Sequence, residues 1–116
     1  MSKIKNRRFG IFAEFIAVIF LKLKFYKILH RNYRNKLGEI DIIAFKNKTL
    51  IAIEVKARRN INSFEEVLTD RQMSRIRNSI DIFYSQGKYF NKYNIRFDLI
   101  IIKPYKLPLH LKNFWN

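Results

Sequence analysis

Two acidic residues, Asp41 and Glu54, stand inside apolar stretches of the sequence, where charged side chains are uncommon. Both stretches are rich in β-branched residues, and a short polar segment separates them. They are residues 38–44 and 50–56. The pattern predicts an antiparallel β-hairpin with its tip at Asn47 and Lys48. Such a hairpin brings the two carboxylates toward each other, and this pair is the strongest indication of chemistry in the chain.

The turn of the hairpin decides which side chains face each other. If Lys46 faces Thr49, then Asp41 lies opposite Glu54, with the side chains about 5 Å apart on one face of the sheet. Two like charges at that distance repel, and burial beside isoleucine and valine increases the cost. A divalent cation with oxygen ligands would neutralise the pair. The hairpin therefore predicts a metal site formed by Asp41 and Glu54.

Lys56 follows Glu54 by two residues and therefore shares its strand face. The same register places Glu39 opposite Lys56. In one interpretation Lys56 is a catalytic cation beside the metal pair. In the other, Glu39, Asp41, Glu54 and Lys56 form a solvated sheet face with cross-strand ion pairs, and the pattern alone leaves both interpretations open.

Length and charge restrict the class of protein. A chain of 116 residues is long enough for one hydrophobic core, so we expect a single domain over residues 1–116. The formal net charge of +15 favours a polyanionic partner, either nucleic acid or an anionic membrane surface. The absence of cysteine excludes disulfides, iron–sulfur clusters and thiolate zinc sites, and is compatible with a cytoplasmic location.

The N-terminal residues imitate a signal peptide, because a basic segment precedes an apolar run over residues 15–21. Three features contradict that interpretation. Glu14 precedes the run directly, Lys22 and Lys24 follow it, and no small-residue cleavage site is present. The run is also shorter than the ~20 residues that cross a bilayer. We therefore expect neither a secretory leader nor a membrane span.

The spacing of apolar residues predicts the elements that hold the acidic pair. Helical periodicity indicates a first helix over residues 8–23, which is apolar nearly all round and has Glu14 as its only acid. Residues 25–30 read as a first strand, and the hairpin supplies two more. Thr69 and Gln72 have the spacing of a capping box, which predicts a second helix over Asp70–Gln86.

The last predicted element is an almost continuously apolar strand over residues 95–102, which Pro104 ends. A strand of this composition is expected in the interior of a sheet that is covered on both faces. We expect an irregular tail over residues 103–116. Arg96 and Asp98 share one face of this strand, and an internal ion pair is their expected role.

Six pieces of the chain together resemble one known family. In sequence order they are Gly10-x-x-Ala13-Glu14-x-x-Ala17, Arg31-Asn32-x-Arg34, Gly38-Glu39-Ile40-Asp41-Ile42-Ile43-Ala44, Glu54-Val55-Lys56-Ala57-Arg58, Arg71-Gln72 and Arg96-Phe97-Asp98. Through them the chain resembles the YraN family of small bacterial proteins. That family belongs to the restriction-endonuclease-like superfamily and is similar to archaeal Holliday-junction resolvases.

The resemblance implies an α/β fold of the restriction-endonuclease-like type, with a central mixed β-sheet flanked by helices. It also implies a catalytic site, in which the first helix contributes a glutamate and the second helix a glutamine. The implied catalytic residues are Glu14, Asp41, Glu54, Lys56 and Gln72. Two positions depart from the family pattern, since Ala13 replaces a usual glycine and Arg71 a usual lysine.

A nuclease of this type would use Mg²⁺ or Mn²⁺ held by Asp41 and Glu54. The metal polarises the phosphoryl oxygen and lowers the pKa of a bound water, and two carboxylates are a sufficient protein contribution to a Mg²⁺ shell. Lys56 would orient the water or stabilise charge that develops on the phosphate. For Glu14, the alternative role is a salt bridge to a neighbouring lysine.

Several arginines could follow a phosphate backbone. They are Arg31, Arg34, Arg58, Arg71 and Arg75, of which the last two are spaced one helical turn apart. A solvated basic surface is the alternative interpretation for each of them. No phosphate-cradling glycine loop or Ser-His-Asp triad is present, and two histidines far apart in the sequence do not suggest a zinc site.

The sequence thus predicts a nucleic-acid-binding protein that acts as a divalent-metal-dependent endonuclease, with DNA favoured over RNA. A homodimer is compatible with this function, because junction resolution requires two sites. One alternative is a non-catalytic nucleic-acid-binding module of the same fold. A second is a basic peripheral protein whose apolar first helix docks on an anionic membrane or on a partner protein.

Overall fold

The computed structural model describes residues 3–59, 68–87 and 93–115, and for residues 3–9 it describes the backbone alone. The described chain is an α/β structure with a five-stranded mixed sheet and one helix on each face. In chain order the elements are α1 (Lys3–Leu23), β1 (Lys27–Asn35), β2 (Gly38–Lys46), β3 (Thr49–Ala57), α2 (Asp70–Gln86), β4 (Asn94–Ile102) and β5 (Leu109–Trp115).

The strands lie side by side in the order of the sequence, from β1 to β5. The β3–β4 pair is parallel, and all other neighbours are antiparallel. Parallel neighbours require a crossover connection, and α2 lies in the one between β3 and β4. This architecture confirms the predicted fold class and is consistent with a restriction-endonuclease-like fold.

The β2–β3 hairpin forms with the predicted tip. Asn47 and Lys48 both have positive φ, 51° and 59°, as the favoured two-residue hairpin turns require. Strand pairing runs from Lys46 opposite Thr49 to Ile42 opposite Ile53. The register that we derived from the turn is therefore confirmed as far as the Ile42–Ile53 pair, which is next to Asp41 and Glu54.

Side chains alternate between two cores, one on each face of the sheet. Helix α1 packs on one face, where Ala17 and Leu21 meet side chains of the three central strands. Helix α2 packs on the other, where Ile76 and Ile80 meet the opposite set of strand residues. Strand β4 is buried from Phe97 to Ile102, which confirms its prediction as an interior strand.

The observed bounds of the first helix and the first strand differ from the predicted ones. Helix α1 begins at Lys3 rather than at residue 8. The prediction began too late because the first turns of the helix are polar and carry no apolar periodicity. Strand β1 occupies Lys27–Asn35 rather than residues 25–30. Residue 25 instead lies in the turn that follows α1. The many polar side chains of β1 hide its strand character, because β1 is an edge strand. Helix α2 has the predicted bounds.

The predicted irregular tail is wrong for Leu109–Trp115, which form the edge strand β5. This strand escapes a search for alternation because a bulge interrupts it, with Asn113 at a φ of 52° and a shift in the β4–β5 register. A residue far away in the sequence holds β5 in place, since the centroids of the Trp115 ring and of the Phe97 ring on β4 are 5.2 Å apart. In the described part of the chain no helix is long and apolar enough to cross a membrane.

Candidate active site

The β2–β3 hairpin opens at the end that carries the two acidic residues. Strand β3 keeps its pairing with β4 as far as Ala57, but its pairing with β2 ends at Ile53. Beyond that point the Asp41 side chain takes the place of a backbone carbonyl, because Oδ2 accepts a 2.8 Å hydrogen bond from the Val55 backbone N–H. A side chain thus joins the two strands where the ladder stops, and it fixes the position of the Asp41 carboxylate.

Glu54 meets the Asp41 carboxylate at this opening, as the register predicts. Burial, a hydrogen bond with Asp41 and the negative charge of Asp41 together raise the pKa of Glu54 to about 9. The positive charge of Lys56 lowers this pKa but does not outweigh the other influences, and Glu39 raises it further. Burial and the contact with Asp41 therefore favour the protonated form of Glu54 over the ionised form in the metal-free protein.

Helix α1 adds a third carboxylate beside the first two. Glu14 is half-buried, and its Oε1 is a buried atom for which the structure shows no hydrogen-bond partner. Burial raises the pKa of Glu14, and the charge of Asp41 raises it as well, whereas Arg31 lowers it. Asp41 therefore lies between Glu14 and Glu54. The alternative of a salt bridge from Glu14 to a lysine is not found among the described residues.

The family resemblance implies a divalent metal ion, which would need carboxylate oxygens of this site as ligands. Within the described ranges, no group of three or more His, Cys, Asp or Glu side chains is arranged to hold a metal ion. Mg²⁺ needs fewer protein ligands, because waters and substrate phosphates complete its shell. The adjacent carboxyl groups of Asp41 and Glu54 offer oxygen ligands that fit such a cation. The Oε1 atom of Glu14, which has no hydrogen-bond partner among the described residues, is a further oxygen nearby.

A cleft of about 360 Å³ opens beside Glu54, between the sheet and α2, and neither Asp41 nor Glu14 belongs to its lining. Its lining combines acidic, basic and amide side chains from β1, β2, β3 and α2. The lining residues are Arg34, Asn35, Gly38, Glu39, Glu54, Gln72, Arg75 and Ile76. Two predicted nucleic-acid-binding residues, Arg34 and Arg75, thus share a cleft with the predicted metal ligand Glu54.

Gly38 sets how closely α2 approaches the cleft. A Cβ atom at this position would lie 3.0 Å from the Ser79 Oγ atom and 3.1 Å from the Arg75 carbonyl oxygen. Asn35 adds a tie across the same contact, because its Nδ2 donates to the Ser79 carbonyl at 3.3 Å and its Oδ1 accepts from Ser79 Oγ at 3.3 Å. The sequence analysis missed Asn35 as a cleft residue, and a glycine at the start of β2 was the only signal.

Gln72 lines the cleft while it completes the cap of α2. Its Oε1 accepts from the Thr69 backbone N–H at 3.0 Å, and its own N–H donates to Thr69 Oγ1 at 3.2 Å. The predicted capping box is confirmed. The amide oxygen of Gln72 is thereby engaged within the helix terminus, and a catalytic role for Gln72 stays a prediction.

The remaining basic residues fall into two groups. Arg34 forms an ion pair with Glu39, in which Nε and Oε2 are 3.0 Å apart and both side chains are largely exposed. The expected pairing of Glu39 with Lys56 is thus replaced, because Glu39 lies opposite Arg34 on β1. The solvated interpretation therefore describes Glu39 but not Glu54. Three other arginines are exposed and lie outside the cleft lining: Arg31, Arg58 and Arg71.

A second buried acid, Asp98, lies on the α1 face of β4 and is fully paired. Arg96 donates to it through Nε and Nη2, both at 2.8 Å, and the Asn113 backbone N–H donates at 2.9 Å. His110 Nε2 lies 2.8 Å from its Oδ2. Burial alone would raise the pKa of Asp98, but the bonds from His110, Arg96 and Asn113 lower it. The predicted Arg96–Asp98 ion pair is confirmed, whereas the histidine was missed.

Comparison with known proteins places residues 13–102 within a model of a family described as "Uncharacterised protein family UPF0102". A UPF0102 protein of Rhizobium meliloti (strain 1021) is 37% identical over 109 residues, which are 94% of this chain and 89% of the relative. A UPF0102 protein of Agrobacterium fabrum is 39% identical over 106 residues, 91% of this chain and 87% of the relative. A third, from Mesorhizobium japonicum, is 35% identical over 97% of this chain and 90% of its own.

Proposed function

The chain belongs to the UPF0102 family, and we propose that it is a nuclease of the restriction-endonuclease-like superfamily that hydrolyses phosphodiester bonds with Mg²⁺ or Mn²⁺. One observation carries the proposal: the carboxylates of Asp41 and Glu54 meet at the opened end of a hairpin, neither forms an ion pair with a basic side chain of the described residues, and the pKa of Glu54 rises to about 9. A fold retains such a contact at a cost in stability, and a bound cation offsets that cost.

Asp41 and Glu54 are the residues that would hold the metal. When bound, the ion supplies positive charge that polarises a phosphodiester and lowers the pKa of the attacking water. Asp41 is held in place by the Val55 N–H, so its carboxylate needs no reorganisation to accept a cation. Glu14 supplies a further oxygen next to Asp41 that can accept a proton from water.

Lys56 is a positively charged side chain beside the proposed metal ligands. It lies on β3 two residues beyond Glu54, is half-buried, and is close enough to lower the pKa of Glu54 by its charge. A half-buried ammonium group acts in a medium of lower dielectric than water, which strengthens its effect on charge that develops on a phosphate. Its proposed role is to orient the attacking water or to stabilise that charge.

The cleft fits a polyanionic chain better than a small apolar ligand. Arg34 and Arg75 line it beside Glu54, and the whole chain carries a formal net charge of +15. Arginine forms paired hydrogen bonds with phosphate, so these side chains are suited to hold the backbone of nucleic acid. We favour DNA over RNA, and we place Arg31, Arg58 and Arg71 on the flanks of the bound strand.

The test is a cleavage screen over linear, flapped and four-way-junction DNA and over matching RNA, with Mg²⁺, with Mn²⁺ and with a chelator. We expect the parent to cut at least one substrate only with metal. Asp41→Asn and Glu54→Gln should each slow cleavage by about a hundredfold or more. Asp81→Asn is the matched control, because Asp81 is exposed on α2 and its neutralisation changes the net charge equally.

Two outcomes would contradict catalysis by this site. If Asp81→Asn and Glu54→Gln cut equally fast, the activity comes from elsewhere. If the parent binds nucleic acid with strong salt dependence but cuts none of the substrates, the protein is the non-catalytic binding module of the same fold.

A further inference from the structure

The outer side of α1 carries a continuous stripe of exposed apolar side chains. We call this surface the α1 stripe; its residues are Ile11 (62% exposed), Phe12 (58%), Phe15 (51%), Ile19 (43%) and Leu23 (74%). Their spacing places them on the side of the helix opposite the buried Ala13, Ala17 and Leu21. Contiguous apolar patches on a domain surface usually mark a place of contact.

Phe25 extends the stripe beyond the end of the helix. Its N–H donates to the Lys22 carbonyl and the Tyr26 N–H donates to the Leu21 carbonyl, both at 3.0 Å, which is the hydrogen-bond pattern of a Schellman cap. Phe25 has a φ of 67° at the cap position where glycine is usual. Its ring is 88% exposed, so packing inside the domain does little to offset the strain of this conformation.

The surroundings of the stripe are strongly basic. Residues 3–27 contain seven lysines and arginines and one acid, Glu14, which lies beside Asp41. Lys22 stands two helical turns from Phe15 on the exposed side, and an open groove of about 690 Å³ runs from Lys22 past Lys27 to Arg31. An occupant of this surface must therefore offer apolar depth and negative charge together.

We propose that the α1 stripe and Phe25 bind the surface of an anionic membrane. The apolar side chains would enter the boundary between headgroups and acyl chains, while Lys22 and Lys27 contact the anionic headgroups. A second copy of the chain fits less well, because residues 3–27 of two copies would bring fourteen basic groups together with only two acids. A lipid surface supplies both properties without like-charge contacts.

The position of the stripe leaves the proposed nuclease cleft accessible. Helix α1 covers one face of the sheet, whereas the cleft lies on the other face against α2. A membrane-bound molecule would thus present its cleft to the aqueous phase. The membrane proposal does not rest on the nuclease function, and each has its own assay, although Glu14 on α1 and Arg31 at the end of the groove also belong to the proposed nuclease.

The experiment is co-sedimentation of the full chain with two sets of vesicles, one of phosphatidylcholine alone and one with added phosphatidylglycerol. We expect binding to the anionic vesicles only. The double variant Phe12→Ser, Phe15→Ser should bind at least tenfold more weakly, since burying one such side chain contributes about a tenfold change in partitioning. Its control is Tyr105→Ser, Leu107→Ser, which removes two large side chains that are even more exposed, from the β4–β5 connection.

A charge pair completes the design. Lys22→Glu, Lys27→Glu should abolish vesicle binding, whereas Lys106→Glu, Lys112→Glu, with the same net charge, should reduce it only slightly. Circular dichroism and the melting temperature report whether each variant is folded. Equal vesicle binding by the phenylalanine variant and the parent would overturn the proposal. A dimer in sedimentation velocity that this variant abolishes, with no vesicle binding, would assign the stripe to a second copy instead.

Discussion

Two acidic centres lie on this sheet, and they are built in opposite ways. Asp98 on β4 accepts hydrogen bonds from Arg96 and Asn113 and contacts His110, and its pKa is lowered. Asp41 and Glu54 at the open end of the hairpin face each other, and the pKa of Glu54 is raised. The first centre is satisfied by the chain itself and holds strands together. The second forms no ion pair with a basic side chain among the described residues, and the proposal of a metal site rests on this contrast.

An acid inside a fold can therefore serve structure or function, and its partners decide which. A buried charge that is fully hydrogen-bonded is destabilising to remove, because its partners are left buried and unpaired. A buried charge that faces another of the same sign is destabilising to keep, unless something binds there. Substitutions at the two centres should consequently have effects of opposite sign on stability, and four measurements test this contrast.

The largest expected effect is at the satisfied centre. Asp98→Ala would leave Arg96 and His110 buried without their shared acceptor, and we expect a loss of about 3–5 kcal/mol in the free energy of unfolding. Urea denaturation followed by circular dichroism measures this loss. Asp81→Ala, which removes an exposed acid from α2, should change the free energy by less than about 0.5 kcal/mol. Similar losses in the two variants would remove the distinction between the centres.

The next effect concerns Lys56 at the second centre. Lys56→Ala should slow cleavage by about a hundredfold or more, since it removes one electrostatic contributor to the transition state, and should leave nucleic-acid affinity almost unchanged. Single-turnover cleavage and a gel shift separate the two quantities. Lys48→Ala at the hairpin tip changes the net charge equally, and it should cut at the parent rate. Equal rates in both variants would show that Lys56 is not catalytic.

A smaller effect is expected on stability and metal binding at Glu54. Glu54→Gln replaces a carboxyl group whose ionisation beside Asp41 is unfavourable with a neutral amide, so without metal the variant should be as stable as the parent or more stable by up to about 1 kcal/mol. Calorimetry should detect a Mn²⁺ site in the parent that the variant has lost, and Mn²⁺ should raise the melting temperature of the parent alone. Equal Mn²⁺ affinity in both proteins would contradict a metal site at the hairpin.

The smallest effect is a difference in pH dependence between the centres. The folded pKa of Glu54, about 9, lies above its ordinary value of 4.5, so its stabilising contribution is complete below pH 4.5 and is lost as the pH rises toward 9. The folded pKa of Asp98 lies below its ordinary value of 3.8, so its contribution is present above that value and is lost in stronger acid.

Melting temperatures of the metal-free protein between pH 3 and pH 9 provide the measurement, with the range set by those two ordinary and shifted values. The parent should lose stability between neutral pH and pH 9, and Glu54→Gln should lose less. If the melting temperature of the parent rose over that interval, the proposed contact between the carboxyl groups of Asp41 and Glu54 would be contradicted.

The sequence by itself determined the features that depend on neighbours in the chain. Turn chemistry at Asn47 and Lys48 fixed the hairpin register, and the capping residues Thr69 and Gln72 gave the bounds of α2. The Arg96–Asp98 pair also followed, because residues two apart on a strand share a face. These features depend on local periodicity and turn geometry, which a single sequence carries in full.

Tertiary structure alone decided which distant residues meet. The approach of Glu14 to Asp41 requires α1 to cross the sheet at one position, and the contact of Gly38 with Ser79 requires α2 to lie close to β2. His110 reaches Asp98 only because β5 pairs with β4 through a bulge. Such contacts arise from packing between elements that are far apart in sequence, where no local pattern specifies the partner. Local pattern therefore predicted the hairpin, whereas only the family resemblance indicated which side chains surround its carboxylates.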